Sequence, residues 1–303
     1  MRNSPPKNIA ASIRQRLLNM ARSEKRPFSE LLQYYAMERF LYRLSCSPFQ
    51  NQYILKGALM LRIWESPLIR PTMDIDMLGQ TSNDLTHIES HIKQILSVKV
   101  EADGLEFDSQ SIRSERITEE ANYEGARIKF KCQLGNAKIN MQIDIGFDDI
   151  IYPEPTRKAL PTLLDSPEPM LLCYSRESAI AEKLEAMVKL GTLNSRMKDF
   201  YDIWLLSRQF DFNGGHLAKS IRLTFEHRGT KLPENIDAFS DTFMQDKQIQ
   251  WIAFTKRLEQ AHVPKGLSEI IIAISSFIEP ITYSIVTANP PPEIWIAPGP
   301  WRD

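Results

Sequence analysis

The segment Arg70-Pro71-Thr72-Met73-Asp74-Ile75-Asp76-Met77-Leu78 decides the fold of this chain. From residue 73 onwards every second residue is apolar, which is the period of a half-buried β-strand. The alternation places the carboxylates of Asp74 and Asp76 together on the other face, a few ångströms apart. Two like charges this close repel unless a cation neutralises them, and carboxylate oxygens are hard ligands that suit Mg²⁺. The segment therefore predicts a strand that carries a metal site.

A β-hairpin is predicted further along the chain. Residues 126–134 and 139–145 both alternate between apolar and polar side chains, and Gly135-Asn136 between them is a preferred two-residue turn. The second strand carries Asp144 on its polar face as a third carboxylate. Metal ions held by such a set can clamp the attacking and leaving oxygens of an in-line phosphoryl displacement.

Helical periodicity accounts for most of the remaining chain. The predicted helices cover residues 8–21, 27–44, 85–96, 177–190, 198–210, 217–225, 249–261 and 267–278. The apolar stretch from Leu55 to Trp64 is predicted as a further helix behind a loop at Gly57. Prolines between residues 153 and 169 mark a connecting stretch, and the proline-rich last 15 residues predict an extended tail.

These elements predict an α+β protein of two domains. Residues 1–155 would form N-terminal helices and a core with a small mixed β-sheet. Residues 156–303 would form a mainly α-helical C-terminal domain that ends in the extended, proline-rich tail. A chain of 303 residues is long enough for this division.

Composition indicates a cytoplasmic protein. Cys46, Cys132 and Cys173 are widely spaced and lie near no histidine cluster, so neither a disulfide framework nor a zinc site is predicted. The N-terminus lacks the apolar core of a signal peptide. The longest apolar run, Ile270 to Ile278, is shorter than a membrane span, and no membrane partner is expected.

Basic residues are unevenly distributed, although the net charge is only −1. Residues 1–43 hold nine Lys and Arg against three Glu. The second basic stretch consists of His216, Lys219, Arg222, His227, Arg228 and Lys231, against Glu226 alone. Such patches can bind an RNA backbone, but a solvated helix face has the same composition, and the sequence leaves both interpretations open.

Two further sites are compatible with phosphate binding. In Lys56-Gly57-Ala58, a glycine that leads into a helix lets backbone N–H groups approach an anion. Lys183, within a predicted helix, could reach a triphosphate, or could be an exposed lysine paired with a helical glutamate. Asp202 lies four residues after Lys198, the spacing of a simple pair on a helix surface.

The order of these motifs resembles that of the AbiEii/AbiGii toxin family, which belongs to the polymerase-β-like nucleotidyltransferases. The resemblance covers roughly residues 50–210. Its motifs here are Leu55–Ala58, Arg70–Asp76, Ile143–Phe147, Glu182–Leu184 and Arg196–Ile203. One departure is Ala58, where the family commonly has Gly or Ser, so a phosphate contact there would fall to backbone N–H groups.

The resemblance implies a nucleotidyltransferase-fold lobe and a Mg²⁺-dependent enzyme. Its implied catalytic residues are Asp74, Asp76, Asp144 and Lys183, of which the three aspartates would hold the metal. Asp144 would be the third ligand or would help to deprotonate the attacking hydroxyl. The residues implied to bind the nucleotide are Gly57, Ala58, Arg70, Lys183, Arg196 and Asp199. Lys183 would neutralise the triphosphate, Arg196 and Asp199 would shape the pocket or orient Lys183, and Arg70 would bind phosphate or brace Asp74.

The function implied is that of the toxin in a toxin–antitoxin or abortive-infection system. It would transfer a nucleoside monophosphate from an NTP to an RNA, at the 3′ end of tRNA, and so block translation. NTP, tRNA and a cognate antitoxin are the implied partners. The alternatives are transfer to a protein or small-molecule hydroxyl, and a non-catalytic nucleotide- or RNA-binding protein. The presence of all three aspartates favours catalysis.

Overall fold

The computed structural model describes residues 8–66, 70–119, 123–258, 260 and 262–303. The chain divides into two compact units. The first unit comprises Met1–Asp148 and Thr156–Cys173, and the second comprises Asp149–Pro155 and Tyr174–Asp303. The domain boundary at 155/156 stays a prediction. Residues 156–173 belong to the first unit because their second strand pairs with residues 54–55.

The first unit contains helices and strands in mixed order. Its helices are α1 (Ile9–Glu24), α2 (Phe28–Ser45), α3 (Met60–Ile63) and α4 (Leu85–Leu96). Its strands are β1 (Tyr53–Lys56), β2 (Ile75–Gly79), β3 (Leu105–Glu119), β4 (Tyr123–Leu134), β5 (Ala137–Phe147), β6 (Thr156–Ala159) and β7 (Met170–Cys173).

Seven strands within the described residues form one mixed sheet in the order β3-β4-β5-β2-β1-β7-β6. β2 runs parallel to β5, and β1 runs parallel to β7. The other neighbours are antiparallel, and β4 and β5 form the predicted hairpin, whose register closes with Leu134 opposite Ala137. The two strands that carry the predicted aspartates are therefore adjacent in the interior of the sheet.

Helix α2 lies at the centre of the first unit and is buried along nearly its whole length. It contacts β5 and β7 as well as α1 and α4, and the ring of Phe40 lies 5.6 Å from that of Phe130 on β4. Because α2 covers the apolar face, the alternating polar residues of β4 and β5 point to the other face.

Two predictions for this unit need correction. The stretch from Leu55 to Trp64 is not one helix, since Leu55 and Lys56 end β1, Gly57–Leu59 form a 3₁₀ turn and α3 covers only four residues. Pairing of β1 with both β2 and β7 overrides the local pattern. Strand β2 begins at Ile75, so Asp74 lies in the bend before it, and Met73 is 53 % exposed instead of facing the core.

The second unit is mainly helical, as predicted, and the α+β fold class is confirmed. Its helices are α5 (Arg176–Leu190), α6 (Met197–Gln209), α7 (Gly214–His227), α8 (Asp241–Leu258) and α9 (Leu267–Thr287). Its short strands are β8 (Phe212–Asn213), β9 (Ile294–Trp295) and β10 (Trp301–Arg302). The proline-rich tail is extended and folds back, because β9 pairs with β8 and β10 pairs with β9.

Helix α9 is longer than predicted. It has 21 residues and continues past Pro280 to Thr287. Its length and its mean hydropathy of 1.7 are enough to cross a membrane, and 44 % of its most apolar window is buried. The helix extends beyond the apolar run Ile270 to Ile278 and also contains Glu269 and Glu279. Within the second unit, α9 packs against α6, α7 and α8, as a core helix does.

Candidate metal and nucleotide site

A row of charged residues crosses the polar face of the sheet on neighbouring strands. Lys56 on β1 is the register partner of Asp76 on β2, Asp76 is the partner of Asp144 on β5, and Asp144 is the partner of Arg127 on β4. Residues that are direct partners in a sheet share one face. Two carboxylates at the centre of the row are thus flanked by one cation on each side.

Asp74 completes a cluster of three carboxylates with Asp76 and Asp144, which we call the acid cluster. Each of the three offers an oxygen that lies within 4.8 Å of the other two. Asp144 is buried, and Asp74 and Asp76 are half-buried. The structure therefore brings together the three residues that the sequence predicted as metal ligands, on β5, on β2 and in the bend before β2.

The acid cluster has the chemistry of a site for a hard cation. Carboxylate oxygens are the ligands that Mg²⁺ prefers, at about 2.1 Å, so two oxygens on one ion are at most about 4.2 Å apart. The spread of up to 4.8 Å in the acid cluster is within an ångström of this limit, a difference that side-chain rotation can remove. The three residues could therefore hold a metal ion.

Buried polar side chains hold Asp74 beside its partners. The hydroxyl of Thr72 donates to Asp74 Oδ1 at 2.6 Å. Gln33 on α2, itself buried, donates through Nε2 to the carbonyl oxygens of Met73 at 3.0 Å and Asn140 at 3.1 Å. Gln33 thus ties the bend before β2 to strand β5, and this tie fixes the position of Asp74 relative to Asp144.

Arg127 holds Asp144 from the opposite strand. Its Nε donates to Asp144 Oδ1 at 2.8 Å and a terminal nitrogen donates to Oδ2 at 2.7 Å. Gln142 Nε2 also donates to Oδ2, at 3.2 Å. The hydrogen bond to Asp144 raises the pKa of Arg127 above its ordinary value, against a smaller opposing effect of burial. Sequence reasoning did not single out Arg127.

Gly57, the residue directly after β1, lies against the side chain of Asp76. Its φ of +75° lies in the left-handed region that glycine adopts without strain. A Cβ at this position would lie 2.0 Å from Asp76 Oδ2, a distance at which the two atoms overlap. A larger residue at this position would therefore displace the Asp76 side chain from its place in the acid cluster. Ala58, by contrast, is 3 % exposed, so its side chain is not available to a ligand.

The second unit places four predicted residues in one group, which we call the ion cluster: Lys183 on α5, and Arg196, Asp199 and Asp202 at and within α6. Lys183 Nζ lies 3.1 Å from Asp199 Oδ1 and 3.0 Å from Asp202 Oδ2. Arg196 Nε lies 2.7 Å from Asp199 Oδ2, as an ion pair without aligned hydrogen-bond geometry. Asp199 is completely buried.

Two interpretations of these residues from the sequence are wrong. The ammonium of Lys183 lies against two aspartates, so it is not an exposed lysine paired only with a helical glutamate. Asp202 is 4 % exposed and faces Lys183, so it is not a surface partner of Lys198. The cause is helical geometry, since positions three apart share one face of α6 and that face packs on α5. Arg70 is half-buried and follows the undescribed residues 67–69, and both of its predicted roles stay open.

Some of the predicted RNA-binding residues are buried in ion pairs. Arg228 contacts Asp149 and Glu185 at 2.8 Å each, and its side chain is 7 % exposed. In the first unit, Arg43 is buried against Asp103, and Arg39 is buried beside Glu38. These three arginines are unavailable to a surface ligand, so fewer residues of the two basic stretches can contact RNA than the sequence suggests. Arg2 and Lys7 lie outside the described residues.

Within the two basic stretches predicted from the sequence, the exposed residues lie in or next to α1 and α7, while Arg26 is half-buried and pairs with Glu24 and Glu30. The exposed residues are Arg14, Arg16, Arg22, Lys25, His216, Lys219, Arg222, His227 and Lys231. The first four lie in or directly after α1, and Lys219 Nζ lies 4.1 Å from the centre of the Tyr152 ring.

Comparisons with known proteins agree with this geometry. A sequence model of the family described as "Nucleotidyl transferase AbiEii toxin, Type IV TA system" matches residues 39–273. No curated protein matches the sequence. A crystal structure from H. pylori, described as that of a nucleotidyltransferase, is similar with 15 % identity and a TM-score of 0.50, over 86 % of this chain and 98 % of that chain. This likeness concerns the fold alone.

A second crystal structure, that of JHP933 from Helicobacter pylori, is similar with 14 % identity and a TM-score of 0.48. It covers 85 % of this chain and 94 % of that chain.

Proposed function

This chain belongs to the AbiEii family of nucleotidyl transferase toxins of type IV toxin–antitoxin systems, and from that premise we propose that it transfers a nucleoside monophosphate from an NTP to an RNA. The proposed acceptor is the 3′ end of tRNA, and its modification blocks translation. The observation that carries the proposal is the acid cluster, in which three carboxylate oxygens lie within 4.8 Å of one another beside a glycine whose replacement by a larger residue would displace Asp76.

Asp74, Asp76 and Asp144 are the proposed ligands of Mg²⁺. Bound there, Mg²⁺ would neutralise charge on the phosphoryl group that is transferred. Asp74 and Asp76 act as the principal ligands, since one is fixed by Thr72 and the other is packed against Gly57. Asp144 is the third ligand or accepts the proton of the attacking hydroxyl, because its burial and its donors fix its orientation.

The remaining site residues are proposed to bind the nucleotide. The backbone at Gly57 and Ala58 would approach the β- and γ-phosphates, and Arg70 would bind phosphate or brace Asp74. In the second unit, Lys183 would neutralise triphosphate charge, and Arg196 and Asp199 would shape the nucleotide pocket or orient Lys183. The support for these roles is membership of the family and, for Lys183, the two aspartates that hold its ammonium in place.

The proposed partners are tRNA and a cognate antitoxin, and the proposed location is the cytoplasm. A type IV toxin–antitoxin family implies an antitoxin. The exposed basic residues of α1 and α7 are the candidate contacts for the RNA backbone. Binding of this kind weakens steeply as salt increases, because it releases counterions from the phosphates.

The test is incubation of the purified protein with Mg²⁺, total tRNA and each labelled NTP in turn, beside the Asp74→Asn variant. We expect label to enter tRNA with the wild type and to be absent with Asp74→Asn. The asparagine is nearly isosteric and keeps an oxygen that can accept the hydrogen bond from Thr72, so loss of transfer would follow from loss of the charge.

Other outcomes would redirect the proposal. Pyrophosphate release without label in any RNA would move the acceptor to a protein or a small-molecule hydroxyl. If no pyrophosphate were released with any acceptor or with cell extract supplied, the enzyme would be excluded and a nucleotide- or RNA-binding protein would remain. Equal transfer by wild type and Asp74→Asn would show that the acid cluster is not the catalytic site.

A further inference from the structure

Arg127, at one end of the charged row, contacts both carboxylate oxygens of Asp144 in the acid cluster. We propose that it is a positioning residue, which fixes the orientation of Asp144 and so sets the affinity of the acid cluster for a divalent cation. The inference rests on the proposed function in one respect, since it takes the acid cluster to be the metal site. It adds a residue that the family match and the sequence motifs do not assign.

The geometry of the contact fixes a carboxylate in its plane. Two nitrogens of the guanidinium donate to the two oxygens of Asp144, at 2.8 and 2.7 Å, and a planar fork of this kind specifies orientation as well as distance. Each carboxylate oxygen has more than one lone pair. An oxygen that accepts from Arg127 can therefore still face a cation on the side of Asp74 and Asp76, and the arginine and a metal ion can share Asp144.

Repulsion within the acid cluster is the reason that Asp144 needs such an anchor. Its oxygen lies within 4.8 Å of oxygens of Asp74 and Asp76, and like charges at this distance repel. Without a fixed partner, the carboxylate of Asp144 would rotate away from the other two and lose the convergent arrangement. Gln142 donates to one oxygen only, at 3.2 Å, and cannot fix both.

The backbone supports this role for Arg127. Arg127 and Asp144 are direct partners in the β4–β5 ladder, so the main chain holds the two side chains opposite each other. The Arg127 side chain is 32 % exposed while Asp144 is buried. Lys129, two residues along β4, is paired with Glu115 at 2.8 Å on the same face and makes no contact with the acid cluster among the ion pairs described. It provides a matched control.

Two effects of Arg127 on a cation oppose each other, and substitutions can separate them. Its charge repels a metal ion, so removal of the charge alone would tighten metal binding. Its planar guanidinium orients Asp144, and loss of a residue that orients a metal ligand typically lowers metal affinity about 10- to 100-fold. Arg127→Lys keeps the charge and loses the fork, whereas Arg127→Met loses both. If orientation dominates, both variants bind metal more weakly.

The experiment is titration of the full-length protein with Mn²⁺, without nucleotide, followed by electron paramagnetic resonance of the free and bound ion. We expect Arg127→Lys and Arg127→Met to bind Mn²⁺ about 10-fold more weakly than the wild type, and Lys129→Met to stay within about twofold. Circular dichroism confirms that each variant is folded. If Arg127→Met does not fold, the comparison of Arg127→Lys with the wild type carries the test.

Wild-type affinity in Arg127→Lys, or tighter binding in Arg127→Met, would overturn the positioning role. A separate result would instead count against the proposed function. If Asp74→Asn bound Mn²⁺ as the wild type does, the ion would not be at the acid cluster at all. The two failures are therefore distinguished within one set of titrations.

Discussion

The acid cluster and the ion cluster contain aspartates in opposite electrostatic surroundings. In the acid cluster, carboxylate oxygens of Asp74, Asp76 and Asp144 converge on one another. In the ion cluster, Asp199 and Asp202 each face an ammonium or a guanidinium at 2.7 to 3.1 Å. Although Arg127 pairs with Asp144, repulsion among the three carboxylates of the first arrangement costs stability until a metal ion binds, whereas each carboxylate of the second arrangement lies against a cation of the chain.

This difference distinguishes carboxylates that converge on one another from carboxylates that the chain has already paired with its own cations. A protein retains converging carboxylates when a ligand uses them, because they oppose folding. It retains carboxylates that alternate with cations because they hold elements together, here α5 and α6. The same chemical change, Asp to Asn, should therefore lower activity without loss of stability in the acid cluster, and should lower stability in the ion cluster.

The largest effect is expected in the acid cluster. Asp74→Asn should lower nucleotidyl transfer by about 1,000-fold or more, since loss of a metal ligand removes several kcal/mol of transition-state stabilisation. Its thermal midpoint in EDTA should equal or exceed that of the wild type, because one of three repelling charges is gone. Addition of Mg²⁺ should raise the midpoint of the wild type only, which thermal melts with and without metal can measure.

That prediction would fail if Asp74→Asn were clearly less stable than the wild type in EDTA. The three carboxylates would then stabilise the fold, and the contrast between the two clusters would not hold.

The next largest effect is expected in the ion cluster. Asp199→Asn should destabilise the protein by about 3 kcal/mol, because a completely buried carboxylate is removed from Lys183 and Arg196. Urea unfolding measures this cost. The matched control is Asp241→Asn, at an exposed position in the first turn of α8, where less than about 1 kcal/mol is expected. If Asp199→Asn and Asp241→Asn lowered the free energy of unfolding equally, the ion cluster would contribute little to stability.

The third prediction concerns the glycine that packs against the acid cluster. Gly57→Ala should lower transfer by about 100-fold, because its Cβ would displace Asp76 by overlap with Oδ2. Gly135→Ala is the matched control: its φ of +59° is equally left-handed, but the nearest atom to a Cβ there is 3.8 Å away. Both variants should lose about 1 kcal/mol of stability from backbone strain, and only Gly57→Ala should lose activity.

Parallel activity assays and melts distinguish the two causes. Comparable loss of activity in Gly135→Ala would mean that strain, and not the contact with Asp76, accounts for the result.

Local patterns in the sequence predicted the parts of the fold and site that depend on neighbours along the chain. The alternation around Asp74 and Asp76 predicted β2, and the Gly135-Asn136 turn predicted the β4–β5 hairpin. The same hairpin also contains the information that places Arg127. Leu134 lies opposite Ala137 at the turn. Counting seven residues back along β4 and seven forward along β5 from this pair brings Arg127 opposite Asp144.

The remaining features depend on pairing between distant segments. Strand β1 exists because β2 and β7 flank it, and no pattern in four residues encodes those partners. A count of charges likewise contains no information on ion-pair partners. It includes Arg228 among the surface cations, although Arg228 is buried against Asp149 and Glu185. The placement of Asp202 against Lys183 required knowledge of which face of α6 meets α5.

Glu38 lies between the two extremes of the comparison. It is a single buried carboxylate, 2 % exposed, that accepts a hydrogen bond from the Leu163 backbone N–H at 2.8 Å. Arg39 Nε is 3.5 Å from its other oxygen. Burial outweighs the backbone hydrogen bond and the charges of Arg39 and Arg62, and it raises the pKa of Glu38 to about 7. The partners of Glu38 therefore compensate its charge incompletely.

The smallest effect follows from that pKa. The folded state binds the Glu38 proton more tightly than the unfolded chain, whose pKa is near 4.5, so this stabilisation is complete below pH 4.5 and is lost as pH rises through 7. Glu38→Gln removes the titration and keeps an oxygen for Leu163. Relative to the wild type, its stability should increase by about 2 kcal/mol between pH 5 and pH 8, measured by urea unfolding at both values. Glu226→Gln, at an exposed position on α7, should show no such change. If the stability of Glu38→Gln relative to the wild type were the same at both pH values, Arg39 would compensate the charge of Glu38. One cation at 3.5 Å would then be enough to stabilise a buried carboxylate, as the cations of the ion cluster do.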